Sequence, residues 1–262
     1  MLSRRPEHDN ITRPKKIIAF DLDETLGYFS EFGIFHSAIE QFTGTQLTPK
    51  QSFRIFDLYA EELMRPKIMA ILRMVMGMKR SGIIDNIMIY TNNQGGERWT
   101  YMIKEYFEFK VGVGKIFDKT ICAYKKYGRK NVDCEHCRTT HSKTYNDLVV
   151  NCCNFSKSTK VCFVDDQHHP YMKNHPNVYY LRVTPYVHSI TPQVFIERFL
   201  GTRLLSSQIR EQNRGSEFTT YVLRNFNRSG HYSHVFKTKE SLVNDISVSK
   251  KLVELIRKFE SF

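Results

Sequence analysis

The chain has 262 residues, of which 41% are hydrophobic and 13% aromatic, enough apolar material for one α/β domain with an appendage. No apolar run reaches the roughly 18 residues that a membrane span needs, so we do not expect a membrane protein. The formal net charge is +12, with basic residues concentrated in 1–16, 119–143 and 201–262. This distribution fits either a phosphorylated or polyanionic partner or an ordinary solvated surface.

The first 14 residues are polar and are predicted to form a flexible lead. They lack the apolar core of a secretory signal. We therefore expect an intracellular protein, cytoplasmic or nuclear and not secreted. In such a compartment the six cysteines would be reduced thiols or metal ligands and not disulfides.

Short apolar runs alternate with amphipathic segments along the chain, which is typical of an α/β fold with a parallel sheet. Strands are predicted at 16–20, 86–90, 120–124, 161–164 and 178–182. Helices are predicted at 48–63, from Pro66 to Gly82, and at 97–109, 144–156, 192–205 and 248–261. The predicted domain spans residues 15–205 and has a central parallel sheet flanked by helices.

Three segments depart from this alternation. Residues 27–65 form an insertion directly after the first strand, where they could act as a cap or flap. Residues 119–142 include a basic loop that carries cysteines. Residues 206–262 are predicted to form a basic C-terminal extension, polar and partly disordered up to residue 247, with a terminal helix.

The stretch 17–26, IIAFDLDETL, places two carboxylates at the end of the first predicted strand. Strand alternation sends Asp21 and Asp23 to the same side, and ligands of open α/β sheets bind just past the carboxyl ends of strands. One carboxylate could act as a nucleophile while the other carries a proton. Clustered carboxylates also suit Mg²⁺. The alternative is that both are solvated turn residues.

Polar residues also follow two other predicted strands. Thr91 and Asn92 follow the second strand, and Asp165 and Asp166 follow the fourth. Lys143 lies between them, at the start of a predicted helix. Parallel strands bring their carboxyl ends to one edge of the sheet, so we expect these side chains to converge on the first acidic pair. Taken singly, each also fits a turn residue or an exposed lysine.

The motifs FDLDETL, IYTNN, HSK and FVDD, in this order, resemble the four motifs of the haloacid dehalogenase superfamily, whose members have a Rossmann-like fold. Within it, DLDETL, SKTYNDL and DDQHHPYMKNHPNVYYLRVTPY are similar to the RNA polymerase carboxyl-terminal-domain phosphatases and their NLI-interacting-factor relatives. The resemblance covers roughly residues 15–200. It departs at residues 91–93, where the family usually has Thr-Ala-Ser, at Asp166, where it often has Asn, and in the long stretch between Gly27 and Pro66.

The resemblance implies a mechanism with assigned residues. Asp21 would attack phosphorus and form an aspartyl-phosphate, and Asp23 would be the general acid and base. Thr91, with Asn92 beside it, would bind the phosphoryl oxygens. Lys143 would bind the same group and neutralise its charge.

The resemblance also implies a Mg²⁺ ion. Its ligands would be the Asp21 carboxylate, the backbone carbonyl of Asp23, and Asp166, with Asp165 in support. Thr25 would hold Asp23 and the local turn. The metal would offset the repulsion among four neighbouring carboxylates.

The activity that the resemblance implies is Mg²⁺-dependent hydrolysis of a phosphomonoester, on phosphoserine or phosphothreonine of a protein. Two alternatives remain open. One is an enzyme that removes a terminal 3′-phosphate from a nucleic acid, which would bind through the basic flanks. The other is a module that binds a phosphorylated ligand without turnover.

A second metal site is a further hypothesis. Cys134 and Cys137 have the Cys-x-x-Cys spacing of half a zinc site, and Cys152 and Cys153 follow downstream. A structural zinc ion there would pin the loop that presents Lys143. The alternative is that these residues are free thiols.

Overall fold

Within the described residues, a five-stranded parallel sheet forms the centre of the computed structural model. The structure describes residues 13–95, 97–112, 114–125, 137–205, 209, 214–230, 234–235 and 237–262. The strands are β1 (Lys16–Phe20), β2 (Asn86–Tyr90), β3 (Lys119–Ile121), β4 (Lys160–Asp165) and β5 (Val178–Arg182), in the order β3-β2-β1-β4-β5. The predicted α/β fold with a central parallel sheet is therefore confirmed.

Helices flank the sheet. They are α1 (Ser30–Thr43), α2 (Pro49–Phe56), α3 (Ala60–Leu63), α4 (Ile68–Arg80), α5 (Glu97–Val111), α6 (Pro170–Lys173), α7 (Pro192–Leu200), α8 (Gly215–Arg228) and α9 (Lys239–Lys258), together with a π-helix (Asp147–Cys152) and a terminal 3₁₀ turn (Phe259–Ser261). None of the helices in these described ranges combines the length and apolar character needed to cross a bilayer.

The sheet is buried on both faces, because residues along β1 alternate between two apolar clusters. Ile18 and Phe20 pack into the larger cluster, which most of the helices share. Ile17 and Ala19 face the smaller cluster, which includes Leu148 of the π-helix. Because both faces of β1 are covered by apolar side chains, polar groups on this strand can lie only at its ends.

Strand register brings three carboxyl ends together. Phe20, the last residue of β1, pairs with Ile89 of β2 and Val164 of β4. The residues that follow these strands therefore lie close together, at the carboxyl ends of the strands, as the sequence predicts.

The insertion after β1 is largely helical and is packed into the main core. The sequence predicts one helix over 48–63, whereas the structure has α2 and α3 there, and it has α1, which the sequence pattern missed. Phe32, Phe35 and Phe56 of this segment are fully buried. A movable flap in residues 27–65 stays a prediction.

The C-terminal extension contains more helix than the sequence predicts, and the expectation of partial disorder over 206–247 stays a prediction. Within that range α8 is helical, and α9 begins at Lys239, nine residues before the predicted start at 248. Phe218, Val222 and Phe226 recur at helical spacing on α8 and are buried against the domain. Many polar residues lie between these three apolar positions, so the segment reads as polar overall and its helical periodicity is weak in the sequence.

Candidate active site

Lys143 joins the carboxyl ends of β1 and β4. Its Nζ donates to Asp21 Oδ1 at 2.5 Å and to Asp165 Oδ2 at 2.7 Å. All three side chains are buried. The Asp21 amide donates to the Val164 carbonyl at 2.9 Å, which extends the β1–β4 pairing by one residue. Residues 122 positions apart in sequence thus form one ion-paired cluster, as predicted from the strand ends.

Thr25 holds Asp166 and not Asp23, which corrects the role implied by the resemblance. Its hydroxyl donates to Asp166 Oδ1 at 3.0 Å and accepts from the Asp166 amide at 3.1 Å. The reason is the local turn. Glu24 has a positive φ of 57°, and its amide donates to the Gly27 carbonyl, so the chain reverses and directs Thr25 toward the end of β4.

Asp23 is held instead by Asn93, which the sequence reasoning quoted only as part of a motif. Asn93 Nδ2 donates to Asp23 Oδ2 at 2.5 Å, while the Asn93 amide donates to Thr91 Oγ1 at 3.0 Å. The other carboxylate oxygen, Asp23 Oδ1, is buried and has no hydrogen-bond partner among the described residues. One oxygen is therefore fixed, and the second remains available to a ligand.

Arg138 is a functional candidate that the sequence did not reveal. Its guanidinium is buried and donates to the Thr91 carbonyl at 3.1 Å, to Asn92 Oδ1 at 2.7 Å and to the His141 carbonyl at 2.6 Å. It also lies over the Tyr90 ring, with its Cζ 4.9 Å from the centroid. Arg138 thus fixes the loop after β2. Its setting in a basic, cysteine-bearing segment gave no signal to separate it from neighbouring cations.

Burial disfavours ionisation of several carboxyl groups in this cluster. It raises the pKa of Asp23 to about 7, with hydrogen bonding from Asn93 opposing it. It raises the pKa of Asp166 to about 6, and the charges of Asp21 and Asp165 add to the effect. Burial also raises the pKa of Asp21, although the Lys143 ammonium opposes it. These carboxyl groups would therefore ionise more readily beside a compensating cation.

Asp165 behaves differently because it has more partners. Burial alone would raise its pKa, but His169 and Lys143 outweigh that effect, and the pKa is lowered. His169 Nε2 lies 3.2 Å from Asp165 Oδ2, and the Gln167 amide donates to Oδ1 at 2.8 Å. The burial of Lys143 would lower the pKa of its ammonium, but its two carboxylate partners raise it, so it is charged.

The cluster fits a metal ion. Oxygen atoms of Asp21, Asp165 and Asp166 lie within 4.8 Å of one another, and all three residues are buried. The unpartnered oxygen of Asp23 and the raised pKa of Asp166 both indicate negative charge that a cation would balance. Carboxylate oxygens are hard ligands of the kind that bind divalent cations such as Mg²⁺.

The predicted zinc site is contradicted. Cys137 and Cys152 are joined in a disulfide, with their Cα atoms 5.0 Å apart, so neither offers the thiolate that zinc requires. Cys122 is also disulfide-bonded. Cys153 packs against the smaller core cluster, and Cys134 lies outside the described residues.

The expectation that the cysteines are reduced thiols is therefore wrong for Cys122, Cys137 and Cys152. The physical reason is the fold, which returns residue 137 to the end of the π-helix, whereas spacing in the sequence cannot give disulfide pairing. The intracellular location, which was inferred from the N-terminal residues, stays a prediction.

Comparisons with models of known protein families, with curated proteins and with solved structures found no match to this chain.

Proposed function

We propose that the protein is a Mg²⁺-dependent phosphatase of the haloacid dehalogenase type, which hydrolyses a phosphomonoester through an aspartyl-phosphate at Asp21. The observation that carries the proposal is the buried cluster at the end of β1. There, Asp21 is ion-paired with Lys143, and Asp23 keeps one unpartnered oxygen. A nucleophile, a proton carrier and a counter-charge are the groups that this reaction needs.

In the first step, an Asp21 oxygen would attack phosphorus while the bond to the leaving oxygen breaks. Asp23 would give its proton to that leaving oxygen. A pKa near 7 suits this role, because a useful fraction of Asp23 is protonated at neutral pH. Asn93 would keep the carboxyl group oriented during the transfer.

In the second step, Asp23, now ionised, would take a proton from water, and the resulting hydroxide would attack phosphorus. The bond between phosphorus and Asp21 breaks, which releases inorganic phosphate and restores both carboxyl groups. Lys143, which contacts Asp21 directly, would stabilise the negative charge that develops in both steps.

Mg²⁺ would be held by Asp21, Asp166 and the Asp23 carbonyl, with Asp165 in support, and would supply charge neutralisation to the phosphoryl group. Thr25 supports this assignment, because its two hydrogen bonds fix Asp166 in the direction of the cluster. Arg138 would hold the Thr91 backbone and the Asn92 side chain in the shape that receives phosphoryl oxygens.

The substrate class we propose is a protein carrying phosphoserine or phosphothreonine. The test uses phosphopeptides, a 3′-phosphorylated oligonucleotide and p-nitrophenyl phosphate, each with Mg²⁺ and with a chelator. Wild type is compared with Asp21→Asn and with Asp85→Asn. Asp85 directly precedes β2. It therefore lies at the amino-terminal ends of the strands, opposite the candidate site, and it pairs with the exposed Arg13. It is therefore the matched control.

We expect Mg²⁺-dependent release of phosphate from phosphopeptides by wild type and Asp85→Asn, and none by Asp21→Asn. A salt-sensitive preference for the oligonucleotide would instead identify a nucleic-acid 3′-phosphatase. Binding of phosphopeptide without release of phosphate from any substrate would identify a non-catalytic module and overturn the proposal.

A further inference from the structure

A buried arginine connects the turn after β1 to the segment that follows β5. Arg65 is 1% exposed, and its Nε donates to the Thr25 carbonyl at 2.6 Å. Its Nη2 donates to the Glu24 carbonyl at 2.7 Å and to the Thr184 carbonyl at 2.8 Å. One guanidinium therefore holds three backbone carbonyls. Its rigid fork of donors makes this geometry specific to arginine.

Tyr186 continues the connection toward the C-terminal extension. Its amide donates to the Glu24 carbonyl at 2.8 Å, beside the bond from Arg65. The Arg65 Cζ lies 5.7 Å from the Tyr186 ring centroid, and Lys237 Nζ lies 4.9 Å from it. Lys237 Nζ also donates to the Val187 carbonyl at 2.8 Å. Two cations thus share one aromatic ring directly behind the turn.

Asp245 of α9 supplies the negative charge in this group. It is buried, and its Oδ2 lies 2.7 Å from Lys237 Nζ. Its charge also reaches Arg65: burial lowers the pKa of Arg65 to about 10, and the carboxylates of Asp245 and Asp166 oppose that effect. Removing one member of a buried charged group leaves the others uncompensated, which is strongly unfavourable.

We propose that Asp245 and Lys237 of the C-terminal extension are positioning residues for the proposed active site. They hold the Tyr186 segment and Arg65 against residues 22–26. In that turn, Thr25 is fixed by its carbonyl to Arg65 and by its hydroxyl to Asp166. The catalytic role of the turn rests on the proposed function, but the tether itself can be measured without turnover.

The experiment is hydrogen–deuterium exchange of the full chain, read by mass spectrometry in peptides covering residues 22–26 and 86–90. In wild type, the amides of Glu24 and Leu26 donate hydrogen bonds within the turn, which should protect them from exchange. In Asp245→Asn we expect exchange at 22–26 to accelerate about tenfold, because local opening becomes easier, while β2 at 86–90 keeps its wild-type rate. Asp245→Glu should restore most of the protection.

The matched control is Glu254→Gln on the same helix. Glu254 forms an exposed pair with Lys251 and should leave both peptides unchanged. Lys237→Gln carries the same expectation as Asp245→Asn and replaces it if that variant does not fold. Wild-type exchange at 22–26, or an equal increase at 86–90, would overturn the tether. If wild type shows no phosphatase activity but Asp245→Asn still exchanges faster only at 22–26, the tether is supported and the proposed function is rejected.

Discussion

Lys143 places one positive charge against two buried carboxylates, and replacing it should therefore reduce activity strongly. In Lys143→Met we expect kcat for p-nitrophenyl phosphate to fall about 100- to 1,000-fold, the loss typical when a charge-stabilising donor is removed. The matched control is Lys79→Met, because the Lys79 ammonium pairs with Asp118 and both side chains are 26% exposed. Activity of Lys143→Met within about threefold of wild type would show that the ion pair is structural only.

Arg138 should be sensitive to replacement even by another basic residue. Lysine in its place keeps the charge but cannot donate simultaneously to the Thr91 carbonyl, Asn92 Oδ1 and the His141 carbonyl. We expect Arg138→Lys to raise KM about tenfold with a smaller change in kcat, because the loop proposed to receive the phosphoryl group would be less well ordered. Arg198→Lys, at a more exposed ion pair, should behave like wild type. An unchanged KM would contradict the loop-positioning role.

The raised pKa values of Asp23 and Asp166 make stability depend on pH in a definite direction. Without metal, the folded protein keeps these protons up to pH about 7 and about 6, whereas the unfolded chain releases them near 3.8. Between these limits the folded state binds more protons, so its free energy of unfolding falls as pH rises. Added Mg²⁺ should therefore raise Tm more at about pH 8 than at about pH 5, because protons compete with the metal.

Thermal unfolding at both pH values, with chelator and with Mg²⁺, measures this effect. Asp166→Asn removes one of the two groups and should reduce both the pH dependence and the response to Mg²⁺. An equal Mg²⁺ response at both pH values in wild type would contradict a carboxylate metal site with these pKa values.

The turn that follows strand β1 depends on Gly27. A Cβ at this position would lie 2.5 Å from the backbone oxygen of Leu63 and 2.4 Å from the Phe29 ring. We expect Gly27→Ala to lower the free energy of unfolding by about 1–3 kcal/mol, the usual range for overpacking, and to disturb the site. Chemical denaturation and phosphatase assays measure the two effects.

Gly77, in the last turn of α4, is the matched control. A Cβ there meets no atom within 4 Å. Gly77→Ala should therefore stabilise the protein by up to about 1 kcal/mol through helix propensity. Equal effects of the two substitutions would show that the contact between Gly27 and Leu63 does not constrain the turn.

Sequence patterns predicted the strands better than the helices. The buried runs of β1, β2 and β4 are short and apolar, so their positions were close to those observed. Helix α1 was missed because Gly33 interrupts its pattern. That glycine is explained only by the fold, since the Trp99 ring lies 3.3 Å from the position of its missing Cβ. Such a close approach has no signature in the sequence.

At the scale of the whole molecule, the disulfide between Cys137 and Cys152 closes a loop that includes Lys143. The two cysteines are 15 residues apart, and a link of this length typically contributes about 3 kcal/mol by restricting the unfolded chain. We expect the Cys137→Ser, Cys152→Ser double variant to lower the free energy of unfolding by roughly 2–3 kcal/mol.

The control is Cys162→Ala, which removes a buried thiol outside this link. Both proteins are compared with wild type with and without dithiothreitol. Wild type and Cys162→Ala should lose stability on reduction, and the double variant should lose less. If dithiothreitol leaves wild-type stability unchanged, the link does not form in solution.

The sequence predicted which residues converge at the site but not how they are connected. Asp21 and Asp165 follow from strand order, because the carboxyl ends of parallel strands lie together, whereas Lys143 was placed there by the resemblance of its HSK motif. The partners of Thr25 and Asp23 depend on the turn at Glu24, and Arg138 depends on a loop held by tertiary contacts. The pairing of Cys137 with Cys152 and the proposed tether through Asp245 depend on tertiary contacts, so local patterns carry no information about them.

If Asp21 becomes covalently phosphorylated during turnover, chemical trapping will locate the phosphate on it. The Asp23→Asn variant, which keeps the nucleophile but lacks the base, is mixed with p-nitrophenyl phosphate and Mg²⁺, quenched and reduced with borohydride. An aspartyl-phosphate is converted to homoserine, which mass spectrometry locates. We predict homoserine at position 21, and none in the Asp21→Asn, Asp23→Asn double variant. Phosphate release by wild type with homoserine absent from position 21, or found at another residue, would contradict the account.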